Sequence, residues 1–341
     1  MISIIVPLFN MEKYMINSLE ALVNQSTEKK YEIILINDGS TDNTLDICNE
    51  YVKRYDNIRL FNIKNSGVSA ARNLGIINAK GSHIMFCDGD DIYESNTIEN
   101  IYQTIDENDP DLIIFNRKDI SDGKVIAEYS THNSVKLILD NKTYMEQFFS
   151  NGVHSFLVCN KVYKRIILEK NKIFFNEELK LSEDTLFNLE YIKSSKSFCE
   201  DFRSTYFRNY IIGSTIYKSI DNFFEKNIKF IDYFIKDLSE EEKKTYDLSI
   251  NKLYYFYGKI SIFRSYMNID GANLKERTNN IKRVLNDERF IKSLKYKDDN
   301  YTGIKERLLN SLYKRKMDFS IYFIYGFLAK EWRALKNKSK D

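Results

Sequence analysis

Residues 82–91 read SHIMFCDGDD, an apolar run that leads straight into three carboxylates, Asp88, Asp90 and Asp91. A short, mostly apolar run of this kind has the character of a strand covered on both faces. Three carboxylates within four residues repel one another, so the turn is costly unless something cationic compensates it. A hard divalent ion bridging a diphosphate does so, and the spacing lets Asp88 and Asp90 address one site. A calcium loop would need an oxygen ligand at Ile92 and a glycine at Tyr93, which the chain lacks, although Glu99 falls at the twelfth position. A merely solvated acidic turn is the plainer alternative.

Working outward, short β-branched runs alternate with longer amphipathic ones through residue 116. That alternation predicts a parallel α/β sheet. Strands are expected at 3–7, 31–37, 58–63, 82–87 and 111–116. A first helix over 11–24 would carry Met15, Leu19, Leu22 and Val23 on its sheet-facing side. In open parallel sheets ligands bind at the carboxyl ends of the strands, so the residues after each strand deserve the closest reading. They are polar here: Pro7, Phe9 and Asn10 after the first, Asp38 to Asp42 after the second, and Asn65 to Asn73 after the third. Asp38 can accept from a base N–H or a ribose hydroxyl. The small residues from Gly67 to Ala71 let a ligand approach the backbone at a helix N-terminus, and Arg72 adds a planar cation. Neither a GxxxxGK[ST] loop nor GxGxxG is present.

Beyond Arg117 the alternation ends, with a hairpin expected around Asp122 and Gly123 and a helix near 142–150. From about residue 221 the chain reads as successive amphipathic helices. The expected organisation is therefore an α/β domain over 1–220 and a helical C-terminal domain over 221–341. Within the first, LSEDTLF (181–187) places Glu183 and Asp184 in the first turn of a helix capped by Ser182. Acidic residues there are ordinary first-turn chemistry, favoured by the helix dipole. In the context of a nucleotide site, Asp184 could also serve as a general base.

The 51 Lys and Arg balance 49 Asp and Glu, which gives no general electrostatic case for nucleic acid. Cys48, Cys87, Cys159 and Cys199 form no CxxC pair and read as reduced buried thiols. The start of the chain shows no basic leader, so a cytoplasmic address is expected. The apolar run at 319–329 falls far short of the roughly 20 residues that cross a bilayer. Residues 314–338 combine cations with a broad aromatic face. One reading lays this segment peripherally on an anionic membrane surface; the other packs it on the helical domain or on a second subunit in a homodimer.

Taken in order, PLFN, INDGSTDNT, NSGVSAARNLGI, FCDGDD, CNKVYKR and LSEDTLF resemble glycosyltransferase family 2, the inverting enzymes of GT-A fold. The resemblance extends to about residue 215. It implies a Rossmann-like, mostly parallel sheet and transfer of a sugar from a UDP-sugar to a hydroxyl of a saccharide or lipid-linked saccharide, in cell-surface polysaccharide synthesis. It further implies that Pro7, Phe9, Asn10 and Asp38 lie beside base and ribose, with Asn65, Gly67 and Arg72 completing the nucleotide pocket. Asp88 would approach ribose or donor sugar and share the metal end of the site with Asp90, which would hold Mn²⁺ or Mg²⁺. Asp91 would face the sugar, Glu183 would orient hydroxyls and Asp184 would be the base. Tyr206, Arg208, Gly213 and Ser214 resemble a loop that closes over diphosphate. Gly89 departs from the serine commoner in similar proteins, which predicts a more flexible acidic turn. The rival readings are a nucleotidyltransferase, for which Pro7 to Lys13 is a poor match, and a non-catalytic nucleotide-sugar-binding subunit.

Overall fold

In the computed structural model the described residues are 1–121, 123–129, 135–150, 156–210, 222–267, 273–296 and 311–316. The chain divides into two compact units, 1–211 and 212–341. The expected boundary at 220 falls outside the described residues, as do Gly213, Ser214 and most of the basic aromatic segment at 314–338.

The first unit is built on one mixed sheet. β1 (Ile2–Leu8) pairs in parallel with β2 (Tyr31–Asp38) on one side and β4 (His83–Phe86) on the other, and β2 pairs with β3 (Ile58–Ile63). All seven residues of β1 are buried, as a strand covered on both faces requires. α1 (Met15–Val23) buries Met15, Leu19 and Leu22 as expected, whereas Val23 is only half-buried. Each such aliphatic side chain removed from water contributes about 1.5–3 kcal/mol. α3 (Val68–Asn78) packs beside β1 and β2 and opens directly at the strand ends.

The five expected strands are all present, but the sheet does not run on in parallel past β4. The four-residue β9 (Lys161–Lys164) inserts between β4 and β6 (Leu112–Ser121), antiparallel to both. β10 (Phe198–Asn209) then lies parallel to β6, and the two-residue β5 (Ile92–Tyr93) pairs antiparallel with β10. The full order is β3-β2-β1-β4-β9-β6-β10-β5. β6 and β7 (Lys124–Tyr129) form the hairpin expected around Gly123, although Asp122 itself lies outside the described residues. β8 (Lys136–Ile138) joins the edge of β10, and α5 (Asn141–Ser150) matches the helix expected near 142–150.

The second unit is helical: α8 (Phe223–Lys236), the long α9 (Glu240–Met267), α10 (Leu274–Asn286) and α11 (Glu288–Ser293). Asn273 and Glu276 form a capping box at the start of α10, which fixes that boundary locally. Phe290 anchors the unit's core against Phe224, Tyr255 and Tyr313. Among the described residues no helix is long and apolar enough to cross a membrane. All four cysteines are free and buried.

Candidate functional site

Three loops at the carboxyl ends of β1, β2 and β3 are stitched together by short polar side chains. Asn10, in the left-handed region at φ 54, accepts a hydrogen bond on Oδ1 from Thr41 N at 2.8 Å, and its own N–H donates to Ser40 Oγ at 3.0 Å. Asp38 accepts from Ser66 N at 2.7 Å and Gly67 N at 2.9 Å, while Asn65 Nδ2 donates to its carbonyl. Gly39 must be a glycine here: φ is +69, and a Cβ would lie 2.6 Å from Asn65 N. Phe9 stands 44% exposed at the rim and Pro7 is buried in β1. The residues expected around a nucleotide thus share one edge. Asp38 spends both oxygens on the loop that it faces, so it shapes that edge as well as lining it.

The acidic turn after β4 is uneven. The Asp88 side chain is 40% exposed and reaches Arg72 Nη2 at 2.9 Å. Asp91, expected beside the sugar, is buried instead. Tyr206 donates to its Oδ2 and Asn209 N donates to its Oδ1 at 2.7 Å, so both oxygens anchor the turn to β10. Asp90 lies between them, held through its carbonyl by Asn209 Nδ2. Burial and the nearby Asp88 charge push the Asp90 carboxyl up to about 6. Tyr206 and Arg208, expected on a closing loop, are strand residues of β10. Gly89 is confined, not loose: a Cβ would meet Leu8 Cδ2 at 2.5 Å.

α7 (Glu183–Lys193) brings the second acidic pair to the same place. Ser182 holds the N-cap position with φ 62 and makes no side-chain cap bond, so the expected cap is not formed. Asp184 Oδ1 accepts from Arg72 Nη1 at 2.6 Å, and Glu183 Oε1 lies 3.8 Å from the same nitrogen. Arg72 is 4% exposed, with its guanidinium over the Phe175 ring, and joins the acidic turn to the helix that carries the expected base. Burial raises the Asp184 carboxyl to about 7; Arg72 opposes the shift, and Glu183 and Asp88 add to it. A carboxylate poised there suits proton abstraction near neutrality.

Behind Asp184 lies a polar scaffold. Asn188 Nδ2 donates to the carbonyls of Asp184 and Phe156, and Asn188 Oδ1 accepts from Tyr163 OH. Lys161 is fully buried, its ammonium donating to Leu157 O and Asn160 Oδ1. The CNKVY stretch therefore supports Asp184 from within. Asn73 joins α3 to Phe175 by two hydrogen bonds, Nδ2 to Phe175 O and Phe175 N to Oδ1. Sequence reasoning singled out neither Asn73 nor Asn188, because an asparagine with both ends bonded looks like any other polar residue in a string.

Among the described residues no group of three or more His, Cys, Asp or Glu is disposed to hold a metal unaided. Asp90, half-buried beside Asp88 and Asp91, offers the hard carboxylate oxygens that a divalent ion takes.

A family model described as glycosyl transferase family 2 matches residues 3–171. Residues 3–171 belong to this family. The chain is 34% identical over 200 residues to a poly(ribitol-phosphate) beta-glucosyltransferase of Bacillus spizizenii, an alignment covering 57% of this chain and 30% of that protein. It is 30% identical over 204 residues to the poly(ribitol-phosphate) beta-N-acetylglucosaminyltransferase TarP of Staphylococcus aureus, covering 58% of this chain and 59% of TarP. The chain thus spans less than two thirds of the length of either relative. The crystal structure of S. aureus TarS 1–349 in complex with UDP superposes with a TM-score of 0.70 at 23% identity, covering 97% of this chain and 91% of that one. This family member has a GT-A fold.

Proposed function

We propose that the chain is an inverting glycosyltransferase that moves a sugar from a UDP-sugar to a hydroxyl of a cell-surface polymer or its lipid-linked precursor. The observation that carries the reading is Arg72, which holds Asp88 of the donor loop and Asp184 of α7 on one guanidinium. The similarity to poly(ribitol-phosphate) transferases of Bacillus spizizenii and Staphylococcus aureus supports a phosphate-containing polyol polymer as the acceptor class. Crystal structures of S. aureus TarS 1–349 in complex with UDP and with UDP-GlcNAc support the nucleotide.

The transfer is a direct displacement. Asp184 takes the proton of the acceptor hydroxyl, the oxygen attacks the anomeric carbon, and the bond to the diphosphate breaks with inversion. The products are UDP and the glycosylated acceptor, and Asp184 returns its proton to solvent. Glu183, beside Asp184 on the first turn of α7, orients the hydroxyl. Arg72 keeps Asp184 aimed and tempers its affinity for protons. The loops around Asn10, Asp38, Asn65 and Gly67 hold the uridine end, and positioning supplies much of the acceleration. A bound Mn²⁺ or Mg²⁺ on Asp90, with Asp88 beside it, would supply charge neutralisation at the leaving diphosphate.

UDP release from a panel of UDP-sugars, with and without Mn²⁺, tests the reading. Turnover of at least one donor that Asp184→Asn abolishes supports it. UDP binding without any turnover, across acceptors bearing polyol phosphates, would favour the non-catalytic subunit, and no binding at all removes the nucleotide assignment.

A further inference from the structure

Two ion pairs hold Arg72 by its terminal nitrogens, Nη1 on Asp184 and Nη2 on Asp88. Nε adds no third point: it is buried with no hydrogen-bond partner among the described residues. A planar fork serves carboxylates well only while its plane is held. The surface beneath that plane is the Phe175 ring, whose centroid lies 5.2 Å from the guanidinium carbon. A cation over an aromatic face is attracted at that range, the more so where water is excluded. What fixes Phe175 therefore bears on where Arg72 points.

Phe175 lies between α6 (Arg165–Asn171) and α7, in a stretch with neither helix nor strand. A buried residue there has no ladder to join, yet its N–H and C=O still need partners. Asn73 supplies both, with Nδ2 donating to Phe175 O at 2.9 Å and Phe175 N donating to Oδ1 at 2.8 Å. The remaining Nδ2 proton goes to Glu177 Oε1 at 3.0 Å. A carboxylate could accept from Phe175 N but has nothing to donate, so an amide is required. Asn73 follows Arg72 on α3, so adjacent residues present the guanidinium and clamp the ring beneath it. That ring stacks on Phe187 with centroids 4.1 Å apart and planes 5° apart, and Phe86 meets both edge-on. Phe187 stands three residues after Asp184 on α7, one helical turn away. Asn73, Phe175 and Phe187 are all buried. α3 and α7 are thus joined twice, once by charge through Arg72 and Asp184 and once by a neutral clamp and stack.

We infer that Asn73 and Phe175 are positioning residues for the transfer: the Asn73 amide fixes the Phe175 ring on Phe187, and the ring keeps the Arg72 guanidinium aimed at Asp184. The inference rests on the transferase reading only in taking Asp184 as the proton acceptor. Neither residue bonds Asp184, so both act through Arg72. Losing the ring misaims the fork without removing its charge, and a chain that already lacks the fork has nothing left for the ring to aim.

The test is a double-variant cycle on the full chain, with turnover read as UDP release and folding read by urea denaturation. Phe175→Leu keeps the apolar contact and removes the flat face; Arg72→Lys keeps the charge and removes the fork. Each should lower turnover about tenfold, and the combination should be no slower than the slower single variant. Asn73→Asp, which keeps the acceptor for Phe175 N and loses both donors, should behave as Phe175→Leu does in the same cycle. It carries the cycle alone if Phe175→Leu does not fold. Losses that multiply to about 10²-fold in the double variant overturn the proposal, because ring and cation then act separately. Wild-type turnover in folded Phe175→Leu and Asn73→Asp overturns it as well and leaves a clamp that only packs. If the wild type turns over no donor, the transferase reading falls by itself, and the urea midpoints decide between the same alternatives. Midpoint shifts that fall short of their sum in the double variant support the coupling of ring to fork, and additive shifts overturn it.

Discussion

The two acidic groups of this site are made of the same side chains and behave differently. Among the described residues the three aspartates at the end of β4 share one bonded cation, Arg72, which touches Asp88 alone of the three. At the start of α7, Glu183 and Asp184 both lie against that cation, and Asp184 bonds it at 2.6 Å. In the first group Asp90 and Asp91 gain no bond from that cation; in the second both acids lie against it, so one guanidinium is shared by Asp88, Glu183 and Asp184. Under the proposed mechanism, what separates the metal end from the base is where Arg72 puts its nitrogens, not the kind of acid.

The sharpest way to break that contrast is Asp184→Asn. It keeps the shape and the α7 scaffold but removes the proton acceptor, so transfer should fall by about 10³-fold with UDP affinity unchanged. Steady-state turnover beside calorimetry of UDP checks both halves, and a loss within tenfold would take the base role from Asp184. Asp90→Asn probes the other group. Its expected effect is about a 10²-fold loss of donor turnover together with loss of any response to added Mn²⁺. A chelator that leaves wild-type turnover untouched would detach Asp90 from metal chemistry altogether.

Arg72 joins the two groups, so Arg72→Gln should damage both. Removing one partner of a buried ion pair costs about 3 kcal/mol, discounted here because the Asp88 side chain is 40% exposed. Urea denaturation gives that figure. The same variant offers a pH readout. Burial lifts the Asp184 carboxyl to about 7, so below that pH the group is protonated and cannot accept a proton. The wild-type rate should therefore rise about tenfold per pH unit up to about 7 and then level off. Arg72 favours the ionised form, so its loss should move that limb to higher pH. A limb that stays in place would show that Arg72 does not tune Asp184.

Much of this was legible in the sequence, and the reasons differ by element. Strands β1, β2 and β4 announce themselves because a doubly covered strand must be mostly apolar, whereas β3, at the sheet edge, shows through its apolar residues despite Arg59 and Asn62. The polar residues at their ends are visible by contrast. β9 and β10 were not legible. β9 is four residues long and contains two lysines, one of them fully buried, and β10 breaks its own alternation with a bulge between Asp201 and Thr205. The residue types of the site were readable, but their partnerships were not. Nothing in NSGVSAARN says that Arg72 reaches a helix 112 positions onward, and nothing in FCDGDD says that Asp91 turns inward to Tyr206. Such pairings are set by the crossing of distant elements, which local patterns do not encode.

The mildest expected effect concerns the glycine of the acidic turn. The family resemblance, in which serine is commoner at Gly89, predicts that glycine loosens the turn. The structure argues the reverse, since a Cβ there would lie 2.5 Å from Leu8 Cδ2 and 3.3 Å from Met11 Cγ. Both neighbours are flexible side chains, so the clash is relieved by a small shift and not by unfolding. Gly89→Ser should cost about 1 kcal/mol, lowering Tm by about 2–4 °C for a unit of this size. Because Leu8 ends β1 next to Phe9, the same shift should raise the KM for donor about twofold, within the range of a slightly misplaced loop. If the variant instead melts higher with unchanged KM, the turn has slack that its packing does not reveal, and the contrast between a fixed Asp91 and a waiting Asp90 must come from the hydrogen bonds of Tyr206 and Asn209 alone.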